Sequence, residues 1–137
     1  MGVERIEIAH KLEEWVEAYR LAWEDKDAEA VAVLFTHNGT YRSNIFEDAH
    51  QGREDIAEYW RSVTSVQSQV RVRMGTPFVD GTRVAVEFWT NMNVNDEVVT
   101  LPGCLLLEFT ENWRCTSLRE YWHYQPGSYD PPGGWGE

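Results

Sequence analysis

The sequence predicts an α+β fold in which three N-terminal helices pack on a strongly curved antiparallel sheet. Apolar residues recur every third or fourth position up to about residue 66, as in amphipathic helices, and every second position from about residue 70, as in strands. Turn signals separate the alternating segments, which is typical of a strand meander. The 137 residues suffice for one domain with one core. We expect residues 1–124 to form this domain and residues 125–137 to be a Pro- and Gly-rich tail.

Two helices are predicted at the start of the chain. The first runs from Val3 to Trp23, because one apolar face continues along it at helical spacing. That face consists of Ile8, Leu12, Trp15, Val16, Tyr19 and Trp23. Asp27 is a typical N-cap for a second, short helix. The body of the second helix is expected to be Ala28, Ala30, Val31, Ala32, Leu34 and Phe35.

A polar and aromatic segment follows the second helix. Asn38-Gly39 predicts a turn, and Thr40 to Phe46 is then expected to be a short strand and loop. Gly52 predicts a break before a third helix from Glu54 to about Val66. The segment carries a patch made of Tyr41, Ser43, Asn44, Phe46 and His50.

The second half is expected to form four strands and an irregular tail. Asp80-Gly81 is a strong hairpin signal, and further turns are expected at Asn93–Asp96 and Glu111-Asn112. The strands are centred on Val70–Met74, Val84–Met92, Leu101–Phe109 and Trp113–Tyr124. The tail is too rich in Pro and Gly for regular structure. Its Tyr129 and Trp135 are nevertheless expected to pack, since large aromatic rings are costly to leave in water.

Composition limits the possible partners and the location. The formal net charge of −11 leaves no basic face for nucleic acid and disfavours anionic membrane surfaces. No apolar run approaches the roughly 20 residues of a membrane span, and charges stand where a signal peptide needs an apolar stretch. The sequence therefore predicts a cytoplasmic protein. Cys104 and Cys115 are out of register across the predicted turn, so two reduced thiols are expected.

The segment Ala22–Trp60, with its order of helix, short strand, loop and helix, resembles the start of the nuclear-transport-factor-2-like superfamily. The resemblance extends from about Lys11 to Tyr124 and includes the SnoaL-like polyketide cyclases, ketosteroid isomerases, scytalone dehydratase and limonene-epoxide hydrolase. It implies a cone-shaped, cystatin-like α+β barrel around one deep pocket. Function does not follow from this fold alone, because the superfamily hosts many chemistries.

Tyr19 matches the position at which ketosteroid isomerases place a tyrosine that donates to an enolate oxygen. A phenol suits this task in an apolar site, but Tyr19 also lies on the apolar face of its helix and can be a core residue. The carboxylate base of the isomerases has no counterpart, because Ser43 or Asn44 stands there. The carboxylic acid that occurs later in the isomerase sequences aligns near Leu105, which is not acidic.

Glu120 is the second candidate. Leu118–His123 resembles the Arg-Asp-Tyr-Phe-Asp run of limonene-epoxide hydrolase, with Glu120 in place of the first Asp. The Arg and Asp that complete the hydrolase site fall at Phe88 and Thr90. Since Glu120 shares a strand face with Leu118, burial among apolar groups is expected to raise its pKa into the range useful for proton transfer. The alternative is a salt bridge to an arginine or a solvated carboxylate.

His50, in the loop before the third helix, is the best neutral-pH proton carrier of the chain, or else a solvated loop residue. The histidines and cysteines lack metal-ligand spacing, so neither a metal nor a cofactor is expected.

These observations support an enzyme hypothesis and a binding hypothesis. In the first, Glu120 or His50 moves a proton on a small apolar or weakly polar organic ligand, and Tyr19 or Tyr41 stabilises charge. The other ligand-binding residues would be Trp15, Trp23, Ser43, Asn44, Phe46, Trp60, Phe88, Thr90 and Trp122. In the second, the same pocket binds a ligand without catalysis. An outer face with Trp89 and Leu107 predicts a homodimer surface, and the tail from Tyr129 to Trp135 is a candidate cover for the pocket.

Overall fold

Three helices and one curved sheet make up the computed structural model, which describes the backbone of residues 2–137 and the side chains from His10 onward. The helices are α1 (Gly2–Glu24), α2 (Ala28–Ala32) and α3 (Gly52–Thr64). The strands are β1 (Phe35–Arg42), β2 (His50–Gln51), β3 (Gln67–Met74), β4 (Phe78–Asp80), β5 (Arg83–Val94), β6 (Glu97–Phe109), β7 (Cys115–Trp122) and β8 (Gln125–Pro126). The predicted α+β class is therefore confirmed. Ile8, expected on the apolar face of α1, lies outside the described side chains.

The sheet is mixed rather than purely antiparallel. Its strands follow the order β2-β1-β7-β6-β5-β3, with β4 paired to β5 and β8 paired to β6. The pair β1–β7 is parallel, and the other pairs among the described residues are antiparallel. This parallel pair joins the first strand of the chain to the last long one, so both contribute side chains to the same inner face.

The second helix is shorter than the sequence predicts. Asp27 caps it as expected, accepting a hydrogen bond from the backbone of Ala30 at 3.1 Å. However, the carbonyl of Leu34 accepts hydrogen bonds from Trp15 Nε1 and from the backbone N–H of Cys115, both at 3.0 Å. Phe35 consequently begins β1 and is fully buried. Tertiary contacts thus override the local helix propensity.

Asn38-Gly39 forms no turn between separate elements, because both residues lie within β1. The pairing with β7 shifts register between Phe35 and Thr40. A Cβ at Gly39 would lie 3.0 Å from the Cβ of Phe35 and 3.2 Å from the carbonyl oxygen of Cys115. The glycine therefore permits a close approach of strands at an irregularity of the sheet.

The predicted hairpins are present. Asp80 pairs with Arg83 across Gly81, which has a φ of +63°. The turn expected over Asn93–Asp96 is shorter and consists of Asn95 and Asp96, which lie between the paired residues at the end of β5 and the start of β6. Their φ angles are +50° and +67°. Two positive φ angles match the twist of the strands that this turn joins.

The inner face of the sheet and the apolar face of α1 form an aromatic core. Trp15, Tyr19 and Trp23 from α1 are almost fully buried, as are Trp60 of α3 and Phe88 of β5. Trp23 packs edge-on against Trp60 and Phe88, with ring centroids 5.6 and 5.5 Å apart. Burial of several large rings provides much of the apolar area that stabilises the fold.

The outer face differs from the sequence prediction in two ways. Leu107 pairs with Val84 and is buried with it in the core, so the expectation that it lies on an exposed face is wrong. Trp89 does lie on the outer face, but the tail covers it: Trp89 Nε1 donates to the carbonyl of Tyr129 at 2.9 Å, and its ring meets Trp135 edge-on.

The tail contains regular structure, contrary to expectation. Its first residues form β8, in which Gln125 pairs with Thr100 and Pro126 with Val99. Tyr129 and Trp135 pack as predicted, but against the outer face of the sheet.

The two cysteines are free, as expected, and they face Tyr121 and Phe109 rather than each other. Within the described residues, no helix is long and apolar enough to cross a membrane.

Candidate active site

A cavity of about 300 Å³ opens between α3 and the inner face of the sheet. This volume lies at the lower end of the range for small-molecule sites, roughly 300–1,000 Å³. Its walls are mainly aromatic and aliphatic, with a few polar groups. The lining residues are Trp23, Tyr41, Tyr59, Trp60, Val63, Val66, Gln67, Met92, Val94, Leu101, Glu120, Trp122 and Tyr124.

One wall carries a hydrogen-bonded pair of Tyr41 and Glu120. The Tyr41 hydroxyl donates to Oε2 of Glu120 at 2.6 Å. The parallel pairing of β1 with β7 places Tyr41 opposite Leu118, and Glu120 follows two residues later on the same strand face. The strand face predicted for Glu120, shared with Leu118 and Trp122, is therefore the one observed. Among the side chains that the structure describes, Glu120 forms no salt bridge with an arginine, which was the predicted alternative.

A second hydroxyl, that of Tyr19, extends the pair inward. Oη of Tyr19 lies 3.3 Å from Oη of Tyr41. Since the single hydroxyl hydrogen of Tyr41 points to Glu120, Tyr19 is the donor in this contact. The order Tyr19 to Tyr41 to Glu120 is a chain of hydrogen bonds that ends on a carboxylate, and each bond polarises the next.

The surroundings favour the protonated form of Glu120. The side chain keeps some exposure through the cavity, yet burial of the carboxyl raises its pKa to about 7, against a smaller opposing effect of the hydrogen bond from Tyr41. Burial, and then the nearby Glu120 charge, raise the pKa values of Tyr41 and Tyr19 well above their ordinary value. The tyrosines therefore stay neutral donors, while Glu120 exchanges its proton near neutral pH.

The open side of the cavity is bordered by aromatic residues. Trp122 is about half exposed, and its Nε1 donates to the carbonyl of Ser43 at 3.0 Å, which attaches the end of β7 to the loop after β1. Tyr59 also lines the cavity, and His50 stacks on it with ring centroids 4.4 Å apart. His50 therefore supports a wall of the cavity without lining it.

Gln67 is the polar group at the end of the cavity beside α1. The residue is 6% exposed, and its Oε1 accepts a hydrogen bond from Trp23 Nε1 at 3.0 Å. Lys26 Nζ donates to its backbone carbonyl at 2.8 Å. These two contacts attach the start of β3 to α1 and to the turn that follows it.

Several predicted ligand-binding residues lie away from the cavity. Trp15 and Tyr19 are buried in the core beneath it, stacked on each other at 5.6 Å. Phe46 is 95% exposed in the loop after β1, and Asn44 is exposed there as well, its Oδ1 accepting from the Phe46 backbone. The loop residues therefore do not form the pocket wall that the sequence predicts. Ser43 reaches the rim through its carbonyl, which binds Trp122, and through a side-chain hydrogen bond with Tyr59.

Phe88 and Thr90, which the sequence resemblance aligns with an Arg and an Asp of limonene-epoxide hydrolase, are both buried in the core. The ring of Phe88 occupies the space above Gly103, where an added Cβ would lie 2.3 Å from its Cζ. Thr90 is fully buried, and its hydroxyl has no hydrogen-bond partner among the described residues. Neither side chain is available to hold a water beside Glu120.

The tail leaves the cavity open. The last lining residue is Tyr124, and Tyr129 and Trp135 of the tail lie against the outer face of the sheet. The expectation that Tyr129 to Trp135 cover the pocket is therefore wrong, because these residues pack against Trp89 on the opposite face of the sheet.

Sequence analysis missed Tyr59 and Gln67. Tyr59 follows the buried pair Ile56 and Ala57 at helical spacing, so the apolar period of α3 was an available signal. The sequence signal at Gln67 was misleading, because strict alternation with Val70 and Val72 predicts that its side chain lies on the solvent-exposed face of β3. A bulge between Ser68 and Arg71, where Gln69 has a φ of +50°, turns it inward.

Within the part of the chain that the structure describes, no three His, Cys, Asp or Glu side chains are arranged to hold a metal ion.

Comparison with known proteins gives one family and several related folds. The model of the SnoaL-like domain matches residues 15–117. A hypothetical protein with a ketosteroid isomerase-like fold from Catenulispora acidiphila, in complex with trimethylamine, is 24% identical with a TM-score of 0.71, over 79% of this chain and 84% of that one. The epoxide hydrolase/cyclase-like enzyme SalBIII, described for pyran ring formation in the polyether salinomycin, is 24% identical with a TM-score of 0.75, over 86% and 97%.

An epoxide hydrolase of the limonene-epoxide hydrolase-like kind from M. tuberculosis is 20% identical with a TM-score of 0.66, covering 80% of each chain. At these identities the likenesses show the fold. No curated protein sequence matches the chain.

Proposed function

We propose, from the premise that this chain belongs to the family of SnoaL-like domains, that it is a cofactor-independent enzyme in which Glu120 transfers a proton on a small, mainly apolar organic molecule. The observation that carries the proposal is a carboxyl group held by Tyr41 in the wall of an aromatic cavity, where burial raises its pKa to about 7. A group titrating near the working pH is both a competent base and a competent acid.

The hydrogen-bond chain fits this role. Tyr41 holds Oε2 of Glu120, which leaves the other carboxylate oxygen for a C–H or O–H of the ligand. Tyr19 in turn orients Tyr41 from the core. A base whose position is fixed before the ligand arrives needs little reorganisation during the reaction. We therefore assign Glu120 as the proton-transfer group and Tyr41 and Tyr19 as positioning residues.

Proton transfer within a single ligand is favoured over hydrolysis. Hydrolysis of an epoxide needs a water held beside the base, and the positions of the Arg and Asp that assist in the related hydrolases hold Phe88 and Thr90 in the core. Isomerisation, dehydration or ring closure needs only the ligand and a group that accepts and returns a proton. The similarity to an enzyme described for pyran ring formation supports the same class.

The test uses 2-tetralone, an apolar ketone whose α-hydrogens exchange with deuterium through proton abstraction. The protein should accelerate this exchange in D₂O, measured by proton NMR, with a rate that rises through an apparent pKa near 7. Glu120→Gln should lose on the order of 100-fold of the acceleration, the lower end of what a positioned proton-transfer group contributes. Glu87→Gln, a change on the outer face of the sheet, is the matched control. Equal rates with Glu120→Gln and wild type would refute the assignment.

A second candidate function is non-catalytic binding of a small amine. Tyr59, Trp60, Trp122 and Tyr124 line the cavity together with the Glu120 carboxyl, and aromatic faces around a negative charge bind alkylammonium ions. One structure similar to this chain contains trimethylamine. Calorimetric titration with choline and with its neutral isostere 3,3-dimethylbutan-1-ol separates the candidates. Preference for choline without any acceleration of exchange would favour binding.

The homodimer and the cytoplasmic location remain predictions. For the homodimer, a second part of the outer face offers support, because Phe78 and Val79 are more than half exposed beside Leu106, in a groove of about 350 Å³. Sedimentation equilibrium of wild type and Phe78→Asp tests whether this groove is the contact.

A further inference from the structure

Gln67 lies on the inner face of the sheet because of a local irregularity in β3. Its Cα pairs with Val94, and the register then shifts before Arg71. The bulge at Ser68 and Gln69 lets Gln67 share the inner face with Val70, although the two are three residues apart. A buried amide at a bulge beside a cavity is costly unless its polar atoms find partners.

Trp23 fixes the orientation of the Gln67 amide. An indole N–H can only donate a hydrogen bond, so the atom that it meets at 3.0 Å must be Oε1 rather than Nε2. The Nε2 group then points away from Trp23. The hydrogen bonds of Gln67 among the described residues involve Oε1 and the backbone carbonyl but not Nε2, and Nε2 is not one of the fully enclosed polar atoms without a partner. Since Gln67 lines the cavity, its two N–H donors are open to a ligand.

Gln67 and Glu120 are separated by an aromatic wall. From Glu120, the wall passes through Tyr41 to Trp60, with ring centroids 5.9 Å apart, and from Trp60 to Trp23, 5.6 Å apart. Trp23 then meets Gln67. A ligand long enough to lie along both indoles therefore reaches Glu120 with one end and the amide of Gln67 with the other.

We propose that Gln67 is a specificity-determining residue that binds a hydrogen-bond-accepting oxygen on the ligand, at the end remote from the reacting centre. The inference deepens the proposed function, on which it rests, by describing the substrate as an elongated apolar molecule with one such oxygen. A ligand that lacks the oxygen leaves the amide buried without a partner. Discrimination of this kind is strong because an unsatisfied buried donor is penalised in full.

The oxygen should belong to a neutral group, such as a ketone, ester or ether. The cavity walls carry the Glu120 carboxyl, and the chain has a net charge of −11, so both repel an anion. The nearby Lys26 ammonium donates to the backbone carbonyl of Gln67 and does not line the cavity. A neutral acceptor needs only the amide donor that the cavity provides.

The test compares binding of 2-acetylnaphthalene with that of 2-isopropenylnaphthalene, which replaces the carbonyl oxygen by a methylene group of similar shape. Titrations followed by tryptophan fluorescence are run at pH 8.5, where Glu120 is ionised and cannot donate. Wild type should bind the ketone about tenfold more tightly, the effect expected for one hydrogen bond to a buried donor. Gln67→Glu keeps an acceptor for Trp23 but removes the donor, and Gln67→Met removes both. Both variants should lose the preference, with folding checked by near-ultraviolet circular dichroism.

Equal affinities of wild type for the two probes would overturn the proposal, as would failure of both to bind. A preference that survives in the Gln67 variants, or that disappears in Tyr59→Phe instead, would also overturn it. Failure of the proposed function is a separate result. If wild type does not accelerate 2-tetralone exchange but keeps the preference for the ketone, the role of Glu120 is refuted, whereas accelerated exchange without the preference refutes only the role of Gln67.

Discussion

Oη of Tyr41 and Oε2 of Glu120 lie 2.6 Å apart, although 79 positions separate the two residues in the sequence. The parallel pairing of β1 with β7 brings them together. Burial favours the neutral form of the carboxyl, and the tyrosine favours the charged form. The protonation state of Glu120 therefore depends on a balance that single substitutions can change.

Tyr41→Phe removes the hydrogen bond to the ionised carboxylate and should raise the pKa of Glu120 further above about 7. A hydrogen bond to a charged group contributes about 1.5–3 kcal/mol, which corresponds to about 1–2 pKa units. Carbon-13 NMR titration of the glutamate carboxyls measures the change. Tyr59→Phe removes a cavity hydroxyl without a hydrogen bond to Glu120 and is the control. An unchanged or lower midpoint in Tyr41→Phe would contradict the geometry.

Glu120 should make the protein less stable as the pH rises. Its pKa is raised from 4.5 to about 7 in the folded state, so between these values the folded chain binds more protons than the unfolded one. The free energy of unfolding then falls with pH across this window, by at most about 3 kcal/mol. Urea denaturation at pH 4.5 and pH 8 should show this fall in wild type and its loss in Glu120→Gln. Glu111→Gln, in an exposed turn, should retain the wild-type fall. A Glu120→Gln variant with the full wild-type fall would disprove the coupling.

The sequence predicted the class of fold because its apolar periods agree with the elements that form. Trp15, Tyr19 and Trp23 recur at helical spacing, and all three are buried in the structure. The face of Glu120 was also predictable, since no bulge interrupts the alternation from Leu118 to Trp122. Local pattern and tertiary structure agree in these segments.

The errors arose where long-range contacts override a local pattern. Leu34 and Phe35 continue a helical pattern, but Trp15 and Cys115 bind the Leu34 carbonyl and the chain enters a strand. Alternation along β3 predicts that Gln67 lies on the face opposite to the apolar residues, but a bulge turns its side chain inward. Neither the early start of the strand nor the bulge can be predicted from a pattern within a few residues.

Gly103→Ala should destabilise the protein through Phe88. An added Cβ would lie 2.3 Å from Cζ of Phe88 and 2.6 Å from the carbonyl oxygen of Tyr121. Relief of such overlap requires movement of a buried ring or of the backbone, at a cost of about 1–3 kcal/mol. The midpoint of urea denaturation measures the loss. Gly133→Ala, whose Cβ would meet nothing within 4 Å, is the matched control. Equal midpoints for the two variants would mean that the ring moves without cost.

Thr90→Val should leave the free energy of unfolding unchanged or raise it by about 1 kcal/mol, because the buried hydroxyl has no partner among the described residues. Thr64→Val is the comparison, since the Thr64 hydroxyl donates to the carbonyl of Trp60 at 2.6 Å. That variant should lose about 1 kcal/mol. Urea denaturation of both variants measures these changes in the free energy of unfolding. A large loss in Thr90→Val would indicate that its hydroxyl is satisfied by an ordered water.

Trp135→Ala should weaken the fold without affecting the cavity. Trp135 packs edge-on against Trp89 at 5.9 Å, and the tail is also held by the hydrogen bond from Trp89 to Tyr129. Loss of a partly exposed indole from this contact should lower the free energy of unfolding by about 1–2 kcal/mol. Affinity for 2-tetralone should stay within about twofold of wild type, because residues 125–137 do not line the cavity. Tyr124→Ala changes a lining residue just before the tail and should weaken 2-tetralone binding. If Trp135→Ala weakened binding as much as Tyr124→Ala, the tail would have to reach the cavity in solution, in conflict with its pairing to β6.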